Sequence, residues 1–331
     1  MWINLQQRKK EERMLNSLNK RLQALMPILT PLSLVIGVLL EDIGGHLLFL
    51  VPLLFAFMTF ASSLSMNFKD AKSFTKYPTV ILFTIAFLHI IMPIWAYFVS
   101  TVLFDDHLLT IGFVLSVAVP TGVTSIIWMS ICRGNLPLGL SIVLIDTLLA
   151  PIIMPALLHV VVGETIAIDT SSLIFDLLWM IVLPSMAGVL LNELTKGDIV
   201  ATLGRKLAPF SKLSLFGIVM INSSAIAPYL KEITWELFGV ILVVFFLAVS
   251  GYVFCLVTGP LLWKDQRIVT SFVFTGGMRN IAVGVVVAST YFPAKVAMPV
   301  VFGMLFQQVL ASLFSKVIER GARREVGSLS C

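Results

Sequence analysis

The sequence predicts an all-α integral membrane protein of ten transmembrane helices, arranged as two inverted five-helix repeats. Three observations lead there. The 331 residues are 58% hydrophobic and only 12% charged, with mean hydropathy +0.99, whereas soluble domains carry about 25% charge. Ten apolar stretches each reach the ~20 residues that a bilayer requires. Lysine and arginine fall almost wholly on alternate connections between them.

The ten stretches are 22–40, 46–66, 78–104, 108–132, 136–162, 171–192, 213–230, 237–263, 268–292 and 296–318. One set of connections carries Arg8, Lys9, Lys10 and Arg13 of the N-terminal segment, then Lys69, Lys72, Lys76, Arg133, Lys196, Arg205, Lys206, Lys264 and the tail Arg320, Arg323 and Arg324. Counting all of their basic residues, this side holds 20 of the 23, and the opposite connections hold only Lys231 and Lys295. Those opposite connections carry Glu41, Asp42, Asp105, Asp106, Glu164 and Asp169. The positive-inside rule then places both termini in the cytoplasm of a cell-membrane protein. The segments are a basic cytoplasmic N-terminal piece at 1–21, an interfacial helix or a disordered tail, a first repeat at 22–162, a second at 163–318 and a cytoplasmic tail at 319–331. Five spans per half is an odd number, so the second half enters upside down.

Several classes are excluded. The cysteines Cys132, Cys255 and Cys331 show no CxxC spacing, so neither a metal site nor a disulfide framework is expected. The histidines at 46, 89, 107 and 159 have no ligand spacing, and no GxxxxGK[ST] run is present. No catalytic residue, metal or organic cofactor is expected, and no nucleic-acid partner. The bilayer and a small solute are the partners, and a carrier is the expected class, with a channel or receptor as the alternative.

Two spans are interrupted. In 108–132 the break is Pro120-Thr121-Gly122, followed by Thr124 and Ser125. In 268–292 it is Thr275-Gly276-Gly277-Met278-Arg279-Asn280. Both fall in the fourth span of their half, about 155 residues apart, the pattern of broken helices that build a transporter site near the midplane. An arginine at that depth costs at least ~2.5–3.5 kcal/mol unless it faces protein or water. Asp146 lies mid-span in the fifth stretch and His89 deep in the third. Arg279 and Asp146 read as a functional pair across the core or as structural partners. His89, with an intrinsic pKa of about 6.5, reads as a proton relay or as an interface histidine bonded to a carbonyl. Asn222, Ser223, Ser224, Ser62, Ser63, Gln307 and Gln308 line a cavity or bond between helices. The aromatic stripes read as lipid-facing.

Pro120-Thr121-Gly122-Val123-Thr124-Ser125, then Arg133-Gly134-Asn135 and Ala150-Pro151, resemble the bile acid:sodium symporter family motif PGGTASN…ARGN…SP. The run Thr275–Asn280 stands where that family has Glu-x-Gly-x-Gln-Asn. The resemblance covers most of residues 22–320. It implies a panel domain and a core domain, the latter made of spans three to five and eight to ten. It further implies crossing fourth and ninth helices, alternating access, and organic anions such as bile acids, steroid sulfates or small carboxylates as substrates. Thr124, Ser125, Thr275, Arg279 and Asn280 are the implied substrate positions. Pro120, Thr121, Gly122, Gly276 and Gly277 form the crossover backbone.

The departures bear on the ion. Positions that the family uses for its first sodium site read Ser125, Ile126, Gly139, Val143 and Thr275, and for its second Leu88, Thr275 and Arg279. A hard cation wants several oxygen ligands, and a fixed guanidinium repels it. The expectation is that sodium coupling is lost, that Arg279 paired with Asp146 acts as a tethered cation, and that coupling, if any, is to protons through Asp146 and His89.

Overall fold

The computed structural model describes residues 2–71, 73–163, 169–231 and 234–328. Lys72, Glu164 and Cys331, used above, lie outside the described residues. Apolar runs of this length, whose backbone groups find no partner in hydrocarbon, must close their hydrogen bonds internally as helices. The described residues are accordingly helical, with no β-strand and a single isolated β-bridge.

The helices used below are α1 (Trp2–Leu39), α2 (Glu41–Ser63), α3 (Pro78–Leu103), α4 (His107–Ala118), α5 (Ser125–Ile131) and α6 (Leu136–Val162). There follow α7 (Thr170–Leu194), α8 (Arg205–Ala225), α9 (Trp235–Leu262), α10 (Gln266–Gly277), α11 (Ile281–Tyr291) and α12 (Ala294–Ser328). Among the described residues six helices (α2, α3, α6, α7, α9 and α12) are by themselves long and apolar enough to cross a membrane. The expected spans at 108–132 and 268–292 are each two shorter helices with a break between them. The expected span at 22–40 is the second part of α1, which bends by 72° between Met26 and Ile28, where Pro27 removes an intrahelical bond. The backbone is helical across the expected boundary at residue 21.

The chain packs as two compact units. One comprises Met1–Phe68 with Leu178–Ala225, the other Lys69–Leu177 with Ile226–Cys331. In the first unit small residues let helices approach, as is usual in lipid. A Cβ on Gly37 of α1 would lie 2.1 Å from the Met220 carbonyl oxygen of α8, and one on Gly188 of α7 would lie 2.8 Å from that of Phe60 in α2. The candidate polar groups here mostly serve their own helices. Ser62 donates to Met58 O, Asn222 Nδ2 to Ile218 O and Ser224 to Ile221 O. Asn192 Nδ2 crosses to Met66 O at 2.6 Å.

The second unit contains both broken spans. Asp106 caps α4 by accepting from Leu109 N at 3.1 Å, and Lys295 bridges Asp106 and Glu236 at 2.6 Å each. Burial opposes ionisation of Asp106, but the hydrogen bonds from Lys295 and the Leu109 amide outweigh it and hold the carboxyl below its usual range. The Arg133-Gly134-Asn135 turn ends α5 with Arg133 at φ 57°. Asn135 then starts α6, its side chain accepting from Leu138 N at 3.2 Å. Ser271 of α10 donates to Asn135 O at 3.1 Å, which ties this turn to the helix leading into the second break.

Gly37→Val is expected to destabilise the protein by about 1–3 kcal/mol through overpacking against backbone. Gly45→Val, with nothing within 4 Å of the added Cβ, is the control. Thermal unfolding in detergent should show a lower midpoint for the first variant alone.

Candidate functional site

α4 ends at Ala118 and α5 begins at Ser125, and the gap at 119–124 lies outside both helices, with Gly122, Val123 and Thr124 accepting i+3 turn bonds that lead into α5. α10 ends at Gly277 and α11 begins at Ile281. The two gaps meet. Asn280 N donates to Pro120 O at 2.7 Å and Gly122 N to Met278 O at 3.1 Å, which makes Thr121 and Arg279 an antiparallel bridge. These bonds flank the pair, so Thr121 and Arg279 form the non-hydrogen-bonded kind of pair, in which the two residues lie closest. Gly122 is required by this approach, since a Cβ there would lie 2.9 Å from Arg279 O.

One expectation needs correction here. Gly276 and Gly277 are the last residues of α10 and do not supply the non-helical backbone, which is Met278, Arg279 and Asn280. The glycines are there for space. A Cβ on Gly276 would lie 2.3 Å from Cys255 Sγ, and one on Gly277 would lie 2.4 Å from the Tyr252 ring.

The N–H of Thr121 points away from its bridge partner and donates to Asp146 Oδ2 at 2.6 Å. The other carboxylate oxygen, Oδ1, takes His89 Nε2 at 2.5 Å. Asp146 is 0% and His89 7% exposed. The expected Asp146–Arg279 pair is therefore replaced. Both carboxylate oxygens are engaged, one by the crossing backbone and one by the imidazole, and Arg279 feels Asp146 only at longer range. His89 is placed by one π-type turn, Phe87–Ile91, in α3, a local widening that often marks functional positions.

Arg279 is fixed at its backbone and free at its side chain. Its carbonyl accepts from Gln307 Nε2 of α12. The residue is 5% exposed, and neither Nη1 nor Nη2 has a hydrogen-bond partner. It lines a small cavity of about 40 Å³ together with Met92, Ser116, Tyr252, Gly277 and Gln307. Tyr252 also lines it, and its hydroxyl is likewise buried without a partner. A cavity needs about 10–15 Å³ to admit one water, so this volume admits only a few small groups. Two kinds of hydrogen-bond donor without partners, one of them positively charged, suit an anion.

Of the expected substrate residues, Arg279 alone lines this cavity. Thr275 Oγ1 is committed to Ser271 O at 2.8 Å within α10, while Thr121 Oγ1 donates to Thr275 O at 3.1 Å. Ser125 Oγ is buried and unpartnered, Thr124 is half-buried, and Asn280 contributes its backbone N–H to the crossing with no side-chain cap on α11. Gln307 lines the cavity, and Gln308 accepts from Trp128 Nε1 at 3.2 Å. Tyr252 escaped the sequence reading, which took the aromatics as lipid-facing. Its polar tip amid phenylalanines, directly after Ser250-Gly251, is the available signal.

Residues 52–233 match the model of the sodium bile acid symporter family. The uncharacterized protein YbaS of Bacillus subtilis is 43% identical over 89% of this chain and 97% of its own length. The uncharacterized sodium-dependent transporter YocS of the same organism is 22% identical over 85% of this chain and 86% of its own. The probable sodium/metabolite cotransporter BASS1 of Arabidopsis thaliana is 26% identical over 71% of this chain and 58% of its own.

Replacing Asp146 by Ala strands His89 and the Thr121 amide in the interior. Removing one member of a buried pair costs about 3–5 kcal/mol, so a large drop in the detergent unfolding midpoint is expected. Asp146→Asn, which keeps an acceptor for Thr121 N, should lose less.

Proposed function

Because the chain belongs to the sodium bile acid symporter family, and is thus a membrane transporter rather than an enzyme, we propose that it carries small organic anions by alternating access without sodium. Candidate substrates are carboxylates, sulfates and bile-acid-like steroids. The head group binds Arg279 and Tyr252. The proposal includes ten spans in two inverted repeats, a plasma-membrane location and cytoplasmic termini.

The observation that carries it is the buried Arg279 guanidinium with both terminal nitrogens unpartnered beside the unpartnered Tyr252 hydroxyl. Buried charges in native proteins are normally paired, and a buried polar group left alone calls for an explanation. A bound carboxylate or sulfate completes all three groups. The cavity fits the head group only, so a large substrate would place its body outside it. The same guanidinium stands where the resembling family has a sodium-site glutamine, and it disfavours a second cation in that space.

A second reading, sodium-coupled transport at a rebuilt site, is favoured by the buried, unpartnered Ser125 Oγ and by the printed descriptions of YocS and BASS1. Uptake of a panel of labelled organic anions into proteoliposomes separates the two. Rates should be the same in sodium and in N-methylglucamine buffers, and stimulation by an inward sodium gradient would establish the second reading. Counterflow should be lost in Arg279→Ala. Truncating one partner of a buried charge pair costs about 2–5 kcal/mol, a rise of at least roughly 30-fold in half-saturation. Tyr252→Phe should raise it about 10-fold, as expected for one hydrogen bond to a charged group. Full activity of Arg279→Ala would sink the anion site.

A further inference from the structure

The crossing holds three ionisable groups in one connected set. Asp146 accepts from His89 Nε2 through Oδ1 and from the Thr121 amide through Oδ2, and Thr121 is bridged to Arg279. With Asp146 ionised the carboxylate only accepts, and the hydrogen of this contact is then on His89 Nε2. Its Nδ1 is then the site of any second proton. That nitrogen is buried and has no partner.

The charges of this set add up in a definite way. With neutral His89, Asp146 and Arg279 sum to zero. An anion arriving on Arg279 makes the set net negative in a buried location, where unbalanced charge is strongly disfavoured. A proton on His89 Nδ1 restores neutrality without disturbing the Nε2–Asp146 contact. The other ionisable groups on the helices packed around the set are few: the Thr170–Leu177 part of α7 has Asp176, α11 has Tyr291, and α12, whose Gln307 bonds Arg279, has Lys295, Lys316, Glu319 and Arg320. On α3 the other titratable group is Tyr97, α4 has only His107 at its first residue, and α6 has Asp146 and His159. α10 has Arg267 in its first turn, and α9 has Glu236 in its first turn and Tyr252 and Cys255 near Arg279.

We propose that His89 is the coupling site of a proton:anion symport, one proton entering on Nδ1 for each monoanion bound at Arg279. This rests on the anion reading above. The proton is taken from the solution on the side where the anion binds and is released with it on the other. Linkage requires the effect to be mutual: the anion raises the proton affinity of His89, and acid raises the anion affinity. Above the titration of the site, affinity should fall by up to about tenfold per pH unit, the slope for one linked proton.

The test uses the purified full chain in sodium-free proteoliposomes loaded with a pH-sensitive dye. The probes are propanesulfonate and taurocholate, strong-acid anions that bring no proton of their own across the bilayer. An inward gradient of a transported probe should acidify the lumen, with one proton per anion measured against labelled uptake. His89→Gln should lose the acidification and flatten the pH profile of whatever counterflow remains. Anion flux in the wild-type protein with no lumenal pH change overturns the proposal, and this arm needs no variant to fold. A His89→Gln protein that still acidifies overturns the assignment to His89. Absence of flux for both probes, with labelled counterflow also absent, overturns the anion reading at Arg279 and this proposal with it.

Discussion

The fold of the second unit turns on one constraint: peptide groups removed from helices at membrane depth must find partners within the protein. Each buried polar group left unpaired in hydrocarbon costs several kcal/mol. Two breaks, at 119–124 and 278–280, would each be prohibitive alone. They satisfy one another through Asn280 N to Pro120 O and Gly122 N to Met278 O. Two further groups are met by side chains: Asp146 takes the Thr121 amide and Gln307 donates to the Arg279 carbonyl. The small residues follow from the same constraint. Gly122 admits the opposing strand, and Gly276 and Gly277 let α10 pass against Cys255 and Tyr252.

This arrangement separates position from reactivity in one residue. The Arg279 backbone is held by the antiparallel bridge and by Gln307, while Nη1 and Nη2 of its guanidinium are left without a hydrogen bond. Fixing the donor before the ligand arrives removes part of the ordering entropy that binding otherwise costs. Tyr252 is held in a comparable way. Its ring stacks on Phe314 with centroids 4.5 Å apart and meets Phe274 edge-on at 6.5 Å, while its hydroxyl has no partner. Aromatic packing thus fixes one donor and the crossing fixes the other.

Membrane character and the two interrupted spans were legible in the sequence because they follow from composition, length and proline or glycine placement. The meeting of the breaks was legible only through a resemblance, since no local pattern states that Thr121 faces Arg279. The partner of Asp146 was misread for a related reason. Charge alone suggests the arginine, but the free N–H of a non-hydrogen-bonded bridge residue and a histidine set by one π-type turn are properties of backbone geometry. Gly276 and Gly277 were read as helix breakers from propensity, yet tertiary packing keeps them helical and uses their missing side chains. Tyr252 was hidden among the 24 phenylalanines, 6 tryptophans and 5 tyrosines of the chain, where burial and orientation decide which aromatic meets a cavity.

The corrected partnership changes what the charged residues can do. An Arg279–Asp146 pair would be self-sufficient, and a ligand anion would have to break it. With Asp146 bound to His89 and the Thr121 amide, the arginine is available, and the carboxylate still offsets its charge at longer range. The set therefore tolerates the empty state without being closed to an anion. On the proposed proton coupling, a tethered cation and a titratable neighbour joined through one antiparallel bridge would keep the site near neutrality both empty and occupied.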